Sequence, residues 1–77
     1  MHEMTHVELD VSGVIDPLPV LRLKAAMKDV PIGGTVRMVS TDPCSPPDVD
    51  AYCRMTGHVL LSSQTTGGRF TFLIQRF

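Results

Sequence analysis

The apolar positions of this chain switch repeatedly between a period of two and a helical period, and each switch marks a change of element. Over residues 5–11, Val7, Leu9 and Val11 alternate with His6, Glu8 and Asp10, the pattern of a half-buried strand. Gly13 ends that run. Asp16-Pro17-Leu18-Pro19 then reads as a helix start, with Asp16 as the cap and proline in the first turn, where an amide has no partner anyway. From there to Asp29, Val20, Leu23, Met27 and Val30 keep helical spacing, while Arg22, Lys24 and Lys28 lie off that stripe. Gly33-Gly34 is a turn. Val36 and Met38 share one side of a strand from Thr35 to Ser40. Ser45 followed by Asp48, with Pro46 between, resembles a capping box opening a second helix that runs to about Thr56. Val49, Tyr52 or Cys53, and Thr56 form its stripe, and Gly57 is its C-cap. Strands at about 58–64 and 69–76, joined by Thr65-Thr66-Gly67-Gly68, read as a hairpin, with Phe70, Phe72 and Ile74 on its inner face.

The expected order is therefore β-α-β-α-β-β over one domain, residues 1–77. The fold class is α/β (α+β): a two-layer sandwich with a four-stranded mixed sheet and both helices on one face. A right-handed first crossover makes the first two strands parallel. The loops holding Asp16 and Cys44 then meet at one sheet edge, each at a helix N-terminus, where amides and the helix dipole favour negative charge.

Composition narrows the function. Seven basic and eight acidic residues give a net charge of −1, which argues against non-specific nucleic-acid or anionic-membrane binding. No apolar run approaches a membrane span. A chain of 77 residues has no room for a deep cavity between domains. Met1-His2-Glu3-Met4 lacks the layout of a signal peptide, so a cytoplasmic, reducing compartment is expected. Cys44 and Cys53 are then free thiols, at a spacing that is neither a redox CxxC pair nor half of a zinc site.

The run Leu9-Asp10-Val11-Ser12-Gly13-Val14-Ile15-Asp16-Pro17-Leu18-Pro19, with Gly33, Asp42-Pro43, Ser45, Asp48-Val49, Cys53 and Gly57-His58-Val59-Leu60-Leu61, resembles the TusA/SirA-like sulfur-carrier family over about residues 7–76. The resemblance implies a small cytoplasmic two-layer domain. It also implies a Cys-Pro-x-Pro motif whose cysteine carries a persulfide. That sulfur comes from a cysteine desulfurase or rhodanese-like donor and passes to an acceptor protein. Here the motif reads Asp16-Pro17-Leu18-Pro19, with both prolines and no cysteine. A carboxylate cannot hold sulfane sulfur, so the family's chemistry does not transfer to residue 16.

Several residues carry competing readings. Asp16 is an N-cap, a ligand or general acid/base, or an electrostatic contact for a basic partner. Cys44 is a small residue in a proline-flanked turn or a relocated persulfide carrier; a nearby Asp16 carboxylate would oppose its ionisation. Cys53, Met27 and Met38 read as core. His58 reads as a hydrogen-bonded structural histidine, and His2 and His6 as solvated. Arg22, Lys24 and Lys28 are a solvated helix face or a docking surface for an acidic partner. No metal and no cofactor is expected. Two functions follow: a non-catalytic interaction or regulatory module on the sulfur-relay scaffold, or a sulfur carrier acting through Cys44. RNA binding would rest on fold analogy alone and meets an unfavourable charge balance.

Overall fold

Strand β1 (His6–Val11) buries alternate residues against its neighbour, with Val11 fully enclosed and Val7 and Leu9 partly so, while His6, Glu8 and Asp10 face outward. These coordinates come from a computed structural model, which describes residues 6–77. Helix α1 (Leu18–Met27) follows, then β2 (Thr35–Ser40), α2 (Ser45–Thr56), β3 (Val59–Thr66) and β4 (Arg69–Gln75). This is the expected β-α-β-α-β-β order.

The sheet order is β1-β2-β4-β3. β1 and β2 are parallel, with Val7 beside Val36 and Leu9 beside Met38. β2 and β4 are antiparallel, with Val36 beside Ile74 and Met38 beside Phe72. This register puts Val11, Val36, Met38, Phe72 and Ile74 on one face, where they meet Leu23, Met27 and Val30 from the first helix and its exit, and Val49 and Cys53 from the second. The apolar stripes of both helices enter one core, so both helices cover the same face. Val20 and Phe70 pack at its margin.

Several boundaries differ from expectation, each for a local reason. α1 starts later than Asp16: Pro17 is its N-cap residue, and no side chain caps the helix. The Asp16 amide and side chain are engaged elsewhere. The capping box at Ser45 and Asp48 does not form either. Cys44 occupies the N-cap position, and the Ser45 hydroxyl bonds the Ser40 hydroxyl at 2.7 Å inside the core. Thr56 is exposed rather than part of the buried stripe, and its hydroxyl donates to the Tyr52 carbonyl at 2.8 Å. The hairpin turn is shorter than the four residues expected. Gly67 and Gly68 alone make it, with φ of 57° and 76°. Positive φ at both positions suits the tight primed turns whose twist matches paired strands. β3 is irregular between Leu60 and Ser62, which re-aims the strand at the sheet edge.

His6 is partnered rather than merely solvated. Its ring nitrogens lie 2.7 Å from Thr35 Oγ1 and 2.5 Å from Glu8 Oε2 on the open face of the sheet. The reading of His2 lies outside the described residues.

Candidate functional site

Two loops meet at the C-terminal ends of β1 and β2, as parallel pairing requires. Asp42 joins them. One carboxylate oxygen accepts the Asp16 amide N–H; the other accepts the Cys44 amide N–H at 3.0 Å. The second bond is an Asx turn, the usual way an aspartate organises the two residues that follow it. Asp42 itself is nearly enclosed at 9% exposure. Its own amide donates to the Ser40 hydroxyl at 3.2 Å, and its carbonyl accepts the Ser45 amide at 2.9 Å. Further out, the Gly13 amide donates to Thr41 Oγ1 at 2.8 Å. The edge is thus a hydrogen-bonded frame that links the two loops.

Two residues named from sequence, Asp16 and Cys44, sit together on this frame. Cys44 is an exposed free thiol at the N-terminus of the twelve-residue α2. A helix N-terminus favours a thiolate, but the local charges act in the opposite direction. The Asp42 carboxylate, then partial desolvation, then the charges of Asp16 and Asp48 raise the Cys44 thiol above its ordinary value. The electrostatic objection raised from sequence therefore holds, with Asp42 a stronger source than Asp16.

Asp16 and Asp48 face each other. A hydrogen bond between their carboxyl groups is the main cause that raises the Asp16 pKa, with desolvation and the charges of Asp48 and Asp42 adding to it. A raised carboxyl hydrogen-bonded to a neighbour is one that retains its proton more readily. In the sequence Asp42 enters only through the family resemblance, and Asp48 through that resemblance and as a capping residue. The signal for Asp42 was present, as an aspartate two positions before the amide it holds. The pairing of Asp48 with Asp16 comes from the two helix N-termini being brought side by side.

A shallow groove of about 300 Å³ runs away from this acidic end between the helices, with Val20, Leu21, Ala51 and Met55 along it and Tyr52 at its side. Cys53 is buried, as expected for a core cysteine, and its burial raises its thiol pKa. Arg22, Lys24 and Lys28 are all exposed on α1 or just beyond it. The fold separates them: Lys24 and Lys28 line a second concavity of about 150 Å³ with Tyr52, His58 and Arg76, and Arg22 does not. His58 is hydrogen-bonded as expected, its Nδ1 accepting the Phe77 amide at 3.1 Å.

The family model described as Sulfurtransferase TusA matches residues 7–76. The chain belongs to the TusA family. Among TusA relatives, the sulfur carrier protein TusA of Allochromatium vinosum is 42% identical over 69 residues, covering 90% of this chain and 91% of that one. The sulfur carrier protein TusA of Pseudomonas syringae pv. syringae is 35% identical, covering 90% of this chain and 82% of its own. A crystal structure of a SirA-like protein from Desulfitobacterium hafniense superposes with a TM-score of 0.79 over 90% of this chain and 95% of that one, and its 21% identity makes it a likeness of fold. The chain is therefore a homologue of proteins named as sulfur carriers. No helix among the described residues is long and apolar enough to cross a membrane.

Proposed function

We propose that this chain is a TusA-family homologue that works as a non-catalytic protein-interaction or regulatory module of a sulfur relay, as a single cytoplasmic domain. The observation that carries this reading is the set of carboxylates around Cys44. Asp42, Asp16 and Asp48 all raise its thiol pKa, whereas sulfur transfer requires a thiolate that is both accessible and easily formed. By resemblance, Asp16 stands where the family motif has its persulfide cysteine, between Ile15 and the retained Pro17. Aspartate there removes the nucleophile and adds to the repulsion at the remaining thiol.

The surface available to a partner includes the apolar groove between the helices, with Leu21 and Met55 exposed beside it at 52% and 86%. The basic side chains Arg22, Lys24 and Lys28 supply contacts for an acidic surface on a sulfur donor of the cysteine desulfurase or rhodanese-like type, or on an acceptor. The alternative, a carrier acting through Cys44, is favoured by one observation: the thiol is exposed at a helix N-terminus. Incubation with a cysteine desulfurase and cysteine, followed by intact-mass measurement, separates the two. The module reading expects no mass gain of one sulfur atom, and a Cys44→Ser variant with unchanged cellular effect. A persulfide on Cys44 would install the carrier reading in its place.

A further inference from the structure

At the end of the helix groove opposite the carboxylates, positive groups from separate elements converge. Lys24 belongs to α1, Lys28 is its C-cap, and Arg76 follows β4; with His58 they line the concavity of about 150 Å³. Arg37 and Arg54 each have a carboxylate partner, Glu8 and Asp50. Among the described residues, no salt bridge joins Lys24, Lys28 or Arg76 to an acid. Three cations around one hollow, none of them in a salt bridge, repel one another, and an anion seated among them would reverse the sign of that interaction.

The donors are also partly fixed. Arg76 Nη1 donates to the Val30 carbonyl at 2.6 Å, which anchors the guanidinium and leaves its other N–H groups available. The His58 ring is held by the Phe77 amide bonded to Nδ1, so the neutral ring carries its proton on Nε2 and can donate there. Burial, and then the Arg76 charge, lower the His58 pKa, which keeps the ring neutral in the free protein near pH 7.

We propose that Lys24, Lys28, Arg76 and His58 form a binding site for a tetrahedral oxyanion of the phosphate or sulfate class, free or carried as a phosphomonoester. Several donors from different elements around a small hollow suit a ligand with acceptor oxygens on every side. The site is separate from the carboxylate edge, so it stands whichever thiol reading of Cys44 holds.

The test is an NMR titration of the ¹⁵N-labelled chain with inorganic phosphate, sulfate and phosphoserine, each at constant ionic strength maintained with chloride. Saturable shifts confined to the amides of residues 24–28, 58 and 76 are expected, together with a rise in the His58 pKa on saturation. Lys28→Gln and Lys24→Gln, both at exposed positions, should each weaken phosphate binding by about tenfold, the loss of one charge-assisted hydrogen bond. Arg54→Gln, whose guanidinium is paired elsewhere, should leave it unchanged. Tighter binding of phosphoserine than of inorganic phosphate would identify the oxyanion as one borne by a larger molecule. Shifts that match chloride alone, or that survive both lysine substitutions undiminished, would overturn the site.

Discussion

The amide of Asp16 donates to the carboxylate of Asp42, tying the loop that enters α1 to the loop that enters α2 across 26 positions of sequence. The second oxygen of the same carboxylate holds the Cys44 amide at 3.0 Å. Asp42 is therefore both the structural link of the edge and the leading cause of the raised Cys44 thiol pKa. These two roles can be separated by substitution.

Asp42→Asn removes the charge and keeps only one oxygen acceptor. Because Asp42 is the leading cause of the raised Cys44 pKa, the pH midpoint of iodoacetamide alkylation at Cys44 should fall, and fall further than in Asp16→Asn or Asp48→Asn. The orphaned amide should cost about 1–3 kcal/mol of stability in urea unfolding. An alkylation midpoint that does not move would remove Asp42 as the controlling charge.

The Asp16 carboxyl has its folded pKa raised from an ordinary value of 3.8, chiefly by the hydrogen bond with Asp48. A carboxyl that binds its proton more tightly when folded contributes stability at low pH. That contribution is complete below the ordinary value and is lost as pH rises through the folded one. Glu8 and Asp10 are lowered and act in the opposite direction, so the informative quantity is a difference. Asp16→Asn should be relatively less stabilised at acid pH and should gain on the parent as pH rises above 3.8. Parallel stability–pH curves for the two proteins would contradict this.

Leu23 and Leu21 are two residues apart on α1 but differ in environment, fully buried against 52% exposed. Leu23→Ala should cost about 2–5 kcal/mol. Leu21→Ala should stay within about 0.5 kcal/mol while weakening any partner that uses the groove. Chemical unfolding of both variants checks the assignment of the buried stripe.

Asp16→Cys creates the Cys-Pro-x-Pro start that the family resemblance implies, and it removes one of the charges opposing a thiolate. The variant is expected to gain one sulfur atom from a desulfurase or rhodanese donor where the parent gains none, and Asp16→Cys with Asp48→Asn should gain it faster. No transfer to either variant from donors of both types would mean that the docking surface has diverged along with the motif.

The secondary structure was legible in the sequence because period-two and helical apolar patterns report directly which side of each element is buried. Val7, Leu9 and Val11, or Leu23 and Met27, need no long-range information to be placed on an inner face. The helix starts were less legible. Asp16, Ser45 and Asp48 all have side chains suited to capping, but a cap competes with other acceptors and donors, and here distant partners took them. Ser45 found Ser40 in the core, and the Asp16 carboxyl found that of Asp48 while its backbone amide donates to Asp42. Proximity of the Asp16 and Cys44 loops could be reasoned from the parallel crossover. The dominance of Asp42, the pairing of two carboxyls, and the division of the basic residues between the exposed Arg22 and the hollow with Lys24, Lys28 and Arg76 could not. By itself, the sequence determined the order of elements, the buried faces and the absence of cysteine before Pro17, since local periodicity and residue identity carry that information. Only the tertiary structure decided which charges meet, because electrostatic interaction depends on separation in space, and the residues concerned come from elements far apart in the chain.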